Sequence, residues 1–163
     1  MLTAVSKSLL TKFLNENRDI VYITERLNHI DMLYKWAPTS NKTTFISGDK
    51  IDVLDTQLVF STPGKMRDGV DIPKKDCLIM STPISNIEQM CGRIVRISKN
   101  KEQPIIIDLV DIGEPEISKT LHSRIKYYKK EGWRVKYVLV GTDGSIREIN
   151  EDLAKEIINP KSE

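Results

Sequence analysis

The chain has 163 residues, of which 39% are hydrophobic and 29% charged, a composition typical of one ordinary globular protein. A formal net charge of +2 does not by itself indicate nucleic-acid binding, so any basic surface must come from local clustering. No apolar run approaches the length of a membrane span, and the N-terminus does not have the pattern of a signal peptide. The two cysteines, Cys77 and Cys91, lack ligand-like spacing, which argues against a metal site and indicates buried thiols in a reducing, cytoplasmic compartment.

The first half of the chain alternates between predicted helices and strands. A first helix is indicated by apolar residues at helical spacing: Val5, Leu9, Leu10, Phe13 and Leu14. The β-branched and aromatic run 20–23 predicts a buried strand. Thr24 can cap the next helix, which ends near Pro38. The inward face of that helix is predicted to be Leu27, Ile30, Leu33 and Tyr34.

Further strands are predicted at 44–47, 57–60, 77–80, 105–110 and 134–140. The stretch 61–73 is too polar and glycine-rich to be core, and we interpret it as a loop with one helical turn. A helix is predicted between Pro115 and Gly132, and a short helix in the tail. We expect residues 1–145 to form one lobe and 146–163 to be a tail or short added element.

The segment Ser85–Arg96 predicts an amphipathic helix around which the chain is organised. Ser85 with Glu88 three residues later is a capping box. The apolar face is formed by Ile87, Met90, Cys91, Ile94 and Val95. On the opposite face Gln89, Arg93 and Arg96 fall within an arc of about 60°. Two guanidinium groups in a row suit phosphate oxygens, although a surface helix with two solvated arginines is an equal alternative.

The alternation of strands and helices predicts an α/β fold with a parallel sheet of about six strands and helices on both faces. Ligand sites in such folds lie at the carboxyl ends of the strands. Small polar residues occupy those positions in the sequence: Thr24, Ser47-Gly48, Ser61-Thr62 and Ser81-Thr82. Such residues also serve as plain helix caps, but four in one fold indicate a functional edge.

Two motifs resemble those of superfamily-two helicases. LVFSTPGKMRDGVDIP, residues 58–73, is similar to motif V, and QMCGRIVR, residues 89–96, is similar to motif VI. VYITERLNHIDML resembles the motif IV strand and helix, and FISGD the short motif after it. The later segment HSRIKYYKKEGWRVKYV looks like the end of this lobe in phage UvsW-like branch-migration DNA helicases.

The resemblance implies the second, C-terminal RecA-like lobe of a two-lobed motor that binds ATP between its lobes. Arg93 and Arg96 would be arginine fingers that reach the γ-phosphate. Gln89 would orient the arginines or the attacking water. Asp71 would contact the ribose or steady an arginine, and Gly69 would let its loop approach the nucleotide.

The resemblance also implies contacts to the nucleic-acid backbone, which carry no base identity. The residues expected to make them are Thr24, Arg26, Ser47, Gly48, Ser61 and Thr62. Lys65 and Arg67 would add phosphate contacts, with a solvated loop as the equal alternative. We interpret the basic face formed by Lys119, Lys126 and Lys129 as a solvated helix face rather than a nucleic-acid track.

The sequence lacks a phosphate-binding G-x-x-x-x-G-K-[ST] loop and an acidic box after a strand. We therefore expect ATP with Mg²⁺ to be held mainly by an N-terminal lobe, in cis or in trans, and the chain alone to be inactive. It would be a C-terminal fragment of a longer protein, or a subunit. The expected substrate is branched or duplex DNA; the alternatives are an RNA helicase, a restriction-type translocase or a non-catalytic nucleic-acid or partner-binding module.

Overall fold

The structure is a computed structural model of the 163-residue chain. It describes residues 1–50, 55–67, 70–84, 87–94, 101–112 and 115–159, without the side chains of 115–119. Among the helices in these ranges, none has the length and apolar character that crossing a bilayer demands. The chain divides into two compact units, one from Leu2 to Leu109 and one from Val110 onward.

The first unit is built on a parallel sheet of five strands in the order β2-β3-β1-β4-β5. The strands are β1 (Ile20–Ile23), β2 (Lys42–Phe45), β3 (Leu58–Ser61), β4 (Cys77–Met80) and β5 (Ile105–Asp108). They are paired without stagger, so that Ile23 lies beside both Ser61 and Met80. All five strands therefore end at one level, and their carboxyl ends form a common edge.

In its described residues this unit has four helices beside the sheet: α1 (Leu2–Asn15), α2 (Leu27–Trp36), α3 (Pro63–Arg67) and α4 (Glu88–Ile94). The core against α1 and α2 contains alternate strand residues such as Tyr22, Phe60 and Ile79. The residues between them, such as Val21, Val59 and Leu78, are fully buried as well. Because successive side chains point to opposite faces, both faces of the sheet are covered. The predicted α/β, RecA-like class is confirmed.

The second unit contains α5 (Pro115–Lys130), β6 (Tyr137–Val140), β7 (Ile146–Ile149) and α6 (Glu151–Ile158). β6 and β7 form a two-stranded antiparallel sheet of their own. The prediction of about six strands in one parallel sheet was wrong in this respect. The turn at 141–144, with Gly144 at φ +83°, connects β6 directly to an unpredicted strand, and so short a connection allows only antiparallel pairing. The predicted boundary at residue 145 falls inside this hairpin.

The strand β2 ends at Phe45 rather than at Ser47, β5 ends at Asp108 rather than at 110, and β6 begins at Tyr137 rather than at 134. The Ile46 N–H donates to Asp49 Oδ2 at 2.8 Å, and the Asp49 N–H donates to the Ile46 carbonyl at 3.0 Å. These bonds form a turn that ends the strand. Gly48 adopts φ +91° within it, a conformation that favours glycine.

The starts of two helices also differ. The N-cap of α2 is Arg26, and no side chain caps that helix. Thr24 instead accepts a bond from the Arg26 N–H at 3.3 Å, and Leu27 is exposed rather than inward. The helix predicted from Ser85 begins at Glu88, and Ser85 lies outside the described residues. The predicted burial of Met90, Cys91 and Ile94 is confirmed.

A buried lysine lies just before β4. Lys75 is 2% exposed, and its Nζ donates to the carbonyls of Thr56 and Gln57. Burial lowers the pKa of Lys75 to about 8, and the lowering is opposed by Asp19, Asp55 and Asp76. The charged form of Lys75 is therefore less favourable in the folded state than in the unfolded state.

We predict that Lys75 makes the protein more stable as the pH rises from about 8 to 10.5. In this window the unfolded state keeps the proton that the folded state has lost, so the free energy of unfolding rises by about 1 kcal/mol per pH unit. Denaturant unfolding at several pH values, compared with Lys75→Gln, measures this difference. The exposed neighbour gives the control, Lys74→Gln, which should keep the wild-type profile. Parallel profiles for wild type and Lys75→Gln would contradict the prediction.

Candidate functional site

Hydroxyl groups hold the segments that leave the carboxyl edge of the sheet. Thr24 Oγ1 lies 3.2 Å from Thr82 Oγ1, and the Glu25 N–H donates to Thr82 Oγ1 at 3.0 Å. The Ser61 hydroxyl donates to the Phe45 carbonyl at 2.6 Å. These bonds link the carboxyl end of β1 to that of β4, and the carboxyl end of β3 to that of β2. The Thr24 N–H donates to the Ser61 carbonyl at 3.1 Å, which joins the two pairs into one hydrogen-bonded unit.

Two of the predicted nucleic-acid contacts are buried. Thr24 and Ser61 have no exposed surface, and both hydroxyls bond within the protein. These hydroxyls therefore hold the backbone in place, and the predicted contact of Thr24 and Ser61 with nucleic acid stays a prediction. Thr62, half-buried, lies at the start of α3, where its hydroxyl accepts from the Lys65 N–H at 3.4 Å.

Lys65 connects α3 to the turn after β2. Its Nζ donates to the Asp49 carbonyl at 3.0 Å and lies 4.7 Å from the centre of the Phe45 ring. A lysine held by a carbonyl and an aromatic face loses much of its freedom to reach a phosphate. The structure therefore places Lys65, predicted as a phosphate contact, as a connection within the edge.

Arg93 lies with its guanidinium group at the carboxyl end of α3. Nη1 donates to the Met66 carbonyl, and Nη2 donates to the Arg67 carbonyl at 3.1 Å. A cation at the end of a helix bonds carbonyls that have no partner within the helix. Arg93 therefore joins the two segments that the sequence singled out, residues 58–73 and 89–96.

The other predicted residues divide by exposure. Arg26, Ser47, Gly48, Arg67, Asp71 and Gln89 are exposed. Gly92, beside Arg93, has open space where a Cβ would stand, so something can approach the helix there. Gly69 and Arg96 lie outside the described residues, and the structure does not place them.

The sequence analysis missed a buried polar cluster on the face of the sheet that α1 and α2 cover. The Tyr22 hydroxyl lies 2.7 Å from Ser6 Oγ, and the His29 ring packs edge-on against Tyr22. His29 is 6% exposed, and both of its ring nitrogens lack a hydrogen-bond partner within the described residues. Burial, helped by Arg26, lowers the pKa of His29, which keeps the ring neutral. A serine, a tyrosine and a histidine far apart in the sequence give no signal of such a cluster.

The sequence is similar to those of two viral proteins named as helicases. An ATP-dependent RNA helicase of Acanthamoeba polyphaga mimivirus is 28% identical over 136 residues, covering 78% of this chain and 26% of the relative. A helicase of Escherichia phage T5 is 34% identical over 70 residues, covering 41% of this chain and 15% of the relative. The chain thus spans 26% of the length of the first relative and 15% of the length of the second. No protein-family model matches it.

Solved structures share the fold at low identity. The helicase domain of Pyrococcus furiosus Hef matches 76% of this chain and 28% of its own, with a TM-score of 0.55 and 15% identity. The C-terminal part of the Fun30 ATPase domain matches 95% of this chain and 50% of its own, with a TM-score of 0.56 and 13% identity. The chain therefore has the RecA-like α/β fold found in helicase and ATPase domains, and the sequence relatives support a helicase-type lobe.

We predict that Ser61→Ala lowers the free energy of unfolding by about 1–2 kcal/mol, because the buried Phe45 carbonyl loses its donor. Urea unfolding measures the loss. Ser8 is exposed on α1, and Ser8→Ala should change stability by less than about 0.5 kcal/mol. Equal effects of the two substitutions would show that the Ser61 bond contributes nothing.

Proposed function

We propose that the chain is the C-terminal motor lobe of an ATP-dependent superfamily-two helicase or translocase. The observation that carries the proposal is the position of Arg93, whose guanidinium group lies on α3 at the carboxyl edge of the parallel sheet. Ligand sites of such sheets occur at this edge. The similarity to two viral helicases supports the same assignment.

The proposed catalytic role of this lobe is to supply positive charge to a phosphoryl group held elsewhere. Phosphoryl transfer places negative charge on equatorial oxygens, and a positioned guanidinium accelerates it by about 10³ to 10⁵. Arg93 and Arg96 would supply that charge as arginine fingers. Gln89, exposed on the same helix, would orient the arginines or the attacking water. Gly69 and Asp71 would border the nucleotide.

The residues present fit half of an ATP site. Guanidinium and amide groups suit phosphate oxygens, whereas the phosphate loop and the acidic box are missing from the sequence. ATP with Mg²⁺ would therefore be held mainly by an N-terminal lobe, in cis or in trans. The chain spans 26% of its mimivirus relative, which is compatible with a lobe of a larger protein. Alone, we expect no ATP turnover.

Nucleic acid would contact the exposed part of the carboxyl edge. Arg26, Ser47, Gly48 and Arg67 offer guanidinium, hydroxyl and backbone N–H groups. Thr24 and Ser61 would contribute indirectly, since their bonds fix the segments that carry these groups. Contacts of this kind recognise the nucleic-acid backbone and not the bases. A motor that moves along nucleic acid of any sequence requires such contacts.

The likeness to branch-migration helicases favours DNA, whereas the mimivirus relative is named an RNA helicase. The solved helicase MrfA, similar in fold, was bound to DNA. We propose branched or duplex DNA as the substrate. Unwinding assays of the two-lobed protein on branched DNA, duplex DNA and duplex RNA test this, and unwinding of RNA alone would overturn it.

We predict that Arg93→Ala or Arg96→Ala, in a protein that includes the first lobe, lowers ATP turnover by about two orders of magnitude or more. Nucleic-acid binding should persist in Arg96→Ala, because the loss concerns charge in the transition state, whereas Arg93→Ala also removes the bonds that hold the end of α3 beside Arg67. Steady-state ATPase assays and fluorescence anisotropy with labelled DNA measure the two properties. Arg134 is an exposed arginine in the second unit, and Arg134→Ala is the matched control. Unchanged ATP turnover in both Arg93→Ala and Arg96→Ala would show that these arginines do not act in the ATP site.

We predict that the double substitution Arg26→Ala and Arg67→Ala weakens nucleic-acid binding and reduces its salt dependence. Loss of two phosphate contacts should lower the slope of log K against log salt by about 2. Anisotropy titrations from low to high salt measure the slope. Lys12 and Lys35, exposed on α1 and α2, give the charge-matched control Lys12→Ala with Lys35→Ala. An equal slope in the two double variants would argue against contact at the edge.

A further inference from the structure

The cations of the chain are concentrated in one segment of the second unit. Residues 115–136 contain seven Lys and Arg against two Glu, a formal charge of +5. The whole chain carries +2, so the other 141 residues together carry −3. A polyanion would therefore meet its strongest attraction at this segment rather than at the chain as a whole.

The helix α5 presents part of this charge as a row. Leu121, Arg124 and Tyr128 are buried on one side of α5. His122, Lys126 and Lys130 are exposed and follow one another at intervals of four residues, which places them on one face over about 12 Å. We call these three residues the α5 basic stripe.

The Glu151 carboxylate pairs with Lys129, which lies next to the α5 basic stripe but is not part of it. Glu151 accepts from Lys129 and lies 2.8 Å from Lys155 Nζ. The two lysines together lower the pKa of Glu151 to about 2. No ion pair in the described part of the chain involves Lys126 or Lys130. Their like charges, one helical turn apart, repel each other, and a bound polyanion would relieve that repulsion.

The carboxyl end of α5 is fixed by aromatic packing. Trp133 stacks on Tyr128 with ring centres 6.0 Å apart, and Tyr127 meets Trp133 edge-on at 5.5 Å. Gly132, at φ +73°, lets the chain turn back for this contact. Lys126 and Lys130 therefore project from a helix whose end is anchored, so that their spacing is set before any ligand binds.

We propose that the α5 basic stripe is a second contact for the nucleic-acid backbone, separate from the carboxyl edge of the sheet. The inference rests on the proposed function, because a motor lobe has nucleic acid as its polyanionic partner. Lysine ammonium groups bind phosphates as point charges, so the contact would be independent of sequence. It would replace our interpretation of the helix face that contains Lys126 as a solvated face.

The test is the salt dependence of binding of the full chain to a fluorescein-labelled 20-base-pair DNA duplex. The double substitution Lys126→Ala with Lys130→Ala should reduce the slope of log K against log salt by about 2. Alanine keeps the helix, which the thermal unfolding midpoint verifies. Arginine at both positions should retain the wild-type slope. The charge-matched control is Lys12→Ala with Lys35→Ala, which should also retain it.

Three results would overturn the inference. If the chain binds DNA and the α5 double variant keeps the wild-type slope, the stripe makes no contact, while the proposed function stands. If the wild-type chain does not bind the duplex or a single strand at low salt, the stripe is not a nucleic-acid contact, and the ATPase of the two-lobed protein then tests the proposed function separately. Preferential binding of an acidic peptide over DNA would identify a protein partner instead.

Discussion

The bond between the Arg93 guanidinium group and the end of α3 is the contact on which the candidate site depends. It joins α4 to the segment after β3 through two backbone carbonyls. The helix α3 has only five residues and cannot be stable by itself, so its position comes from such contacts. This bond thus connects the two segments that resemble helicase motifs.

The same arginine has two roles in the proposed motor, and they use the same donors. In the structure its N–H groups are occupied by carbonyls, and in catalysis they would have to face phosphate oxygens. A guanidinium group has five donors in a planar fork, so part of it can stay on α3 while another part binds a phosphate. A lysine carries its donors on a single nitrogen, so it would have to leave the α3 carbonyls in order to bind a phosphate. This explains why an arginine suits this position.

The order and type of the elements could be predicted from the sequence as far as Lys130, because burial on both faces produces short apolar runs and burial on one face produces helical spacing. The strand β4 was predicted with its observed bounds, and the buried face of α4 followed from its periodicity. The hairpin of β6 and β7 was not predicted. Its strands are only half covered, so Ile146 is exposed and Glu148 and Arg147 interrupt the apolar pattern.

Side-chain roles at the carboxyl edge were harder to predict than the edge itself. Sequence shows that Thr24, Ser61 and Lys65 follow strands, but not whether their polar atoms point outward or bond to a neighbouring segment. That choice depends on contacts between distant residues, such as Ser61 with Phe45. The buried His29 is the extreme case, since no local signal indicates its burial or the fact that its ring nitrogens find no hydrogen-bond partner in the described part of the chain.

The contact of Lys65 with Asp49 has a mechanical consequence. It attaches the turn after β2 to one side of α3, while Arg93 holds the far end of the same short helix. A displacement of the turn that keeps the Lys65 bond would therefore pull on α3. Movement at Gly48 would accordingly be transmitted through Asp49, Lys65 and α3 to Arg93.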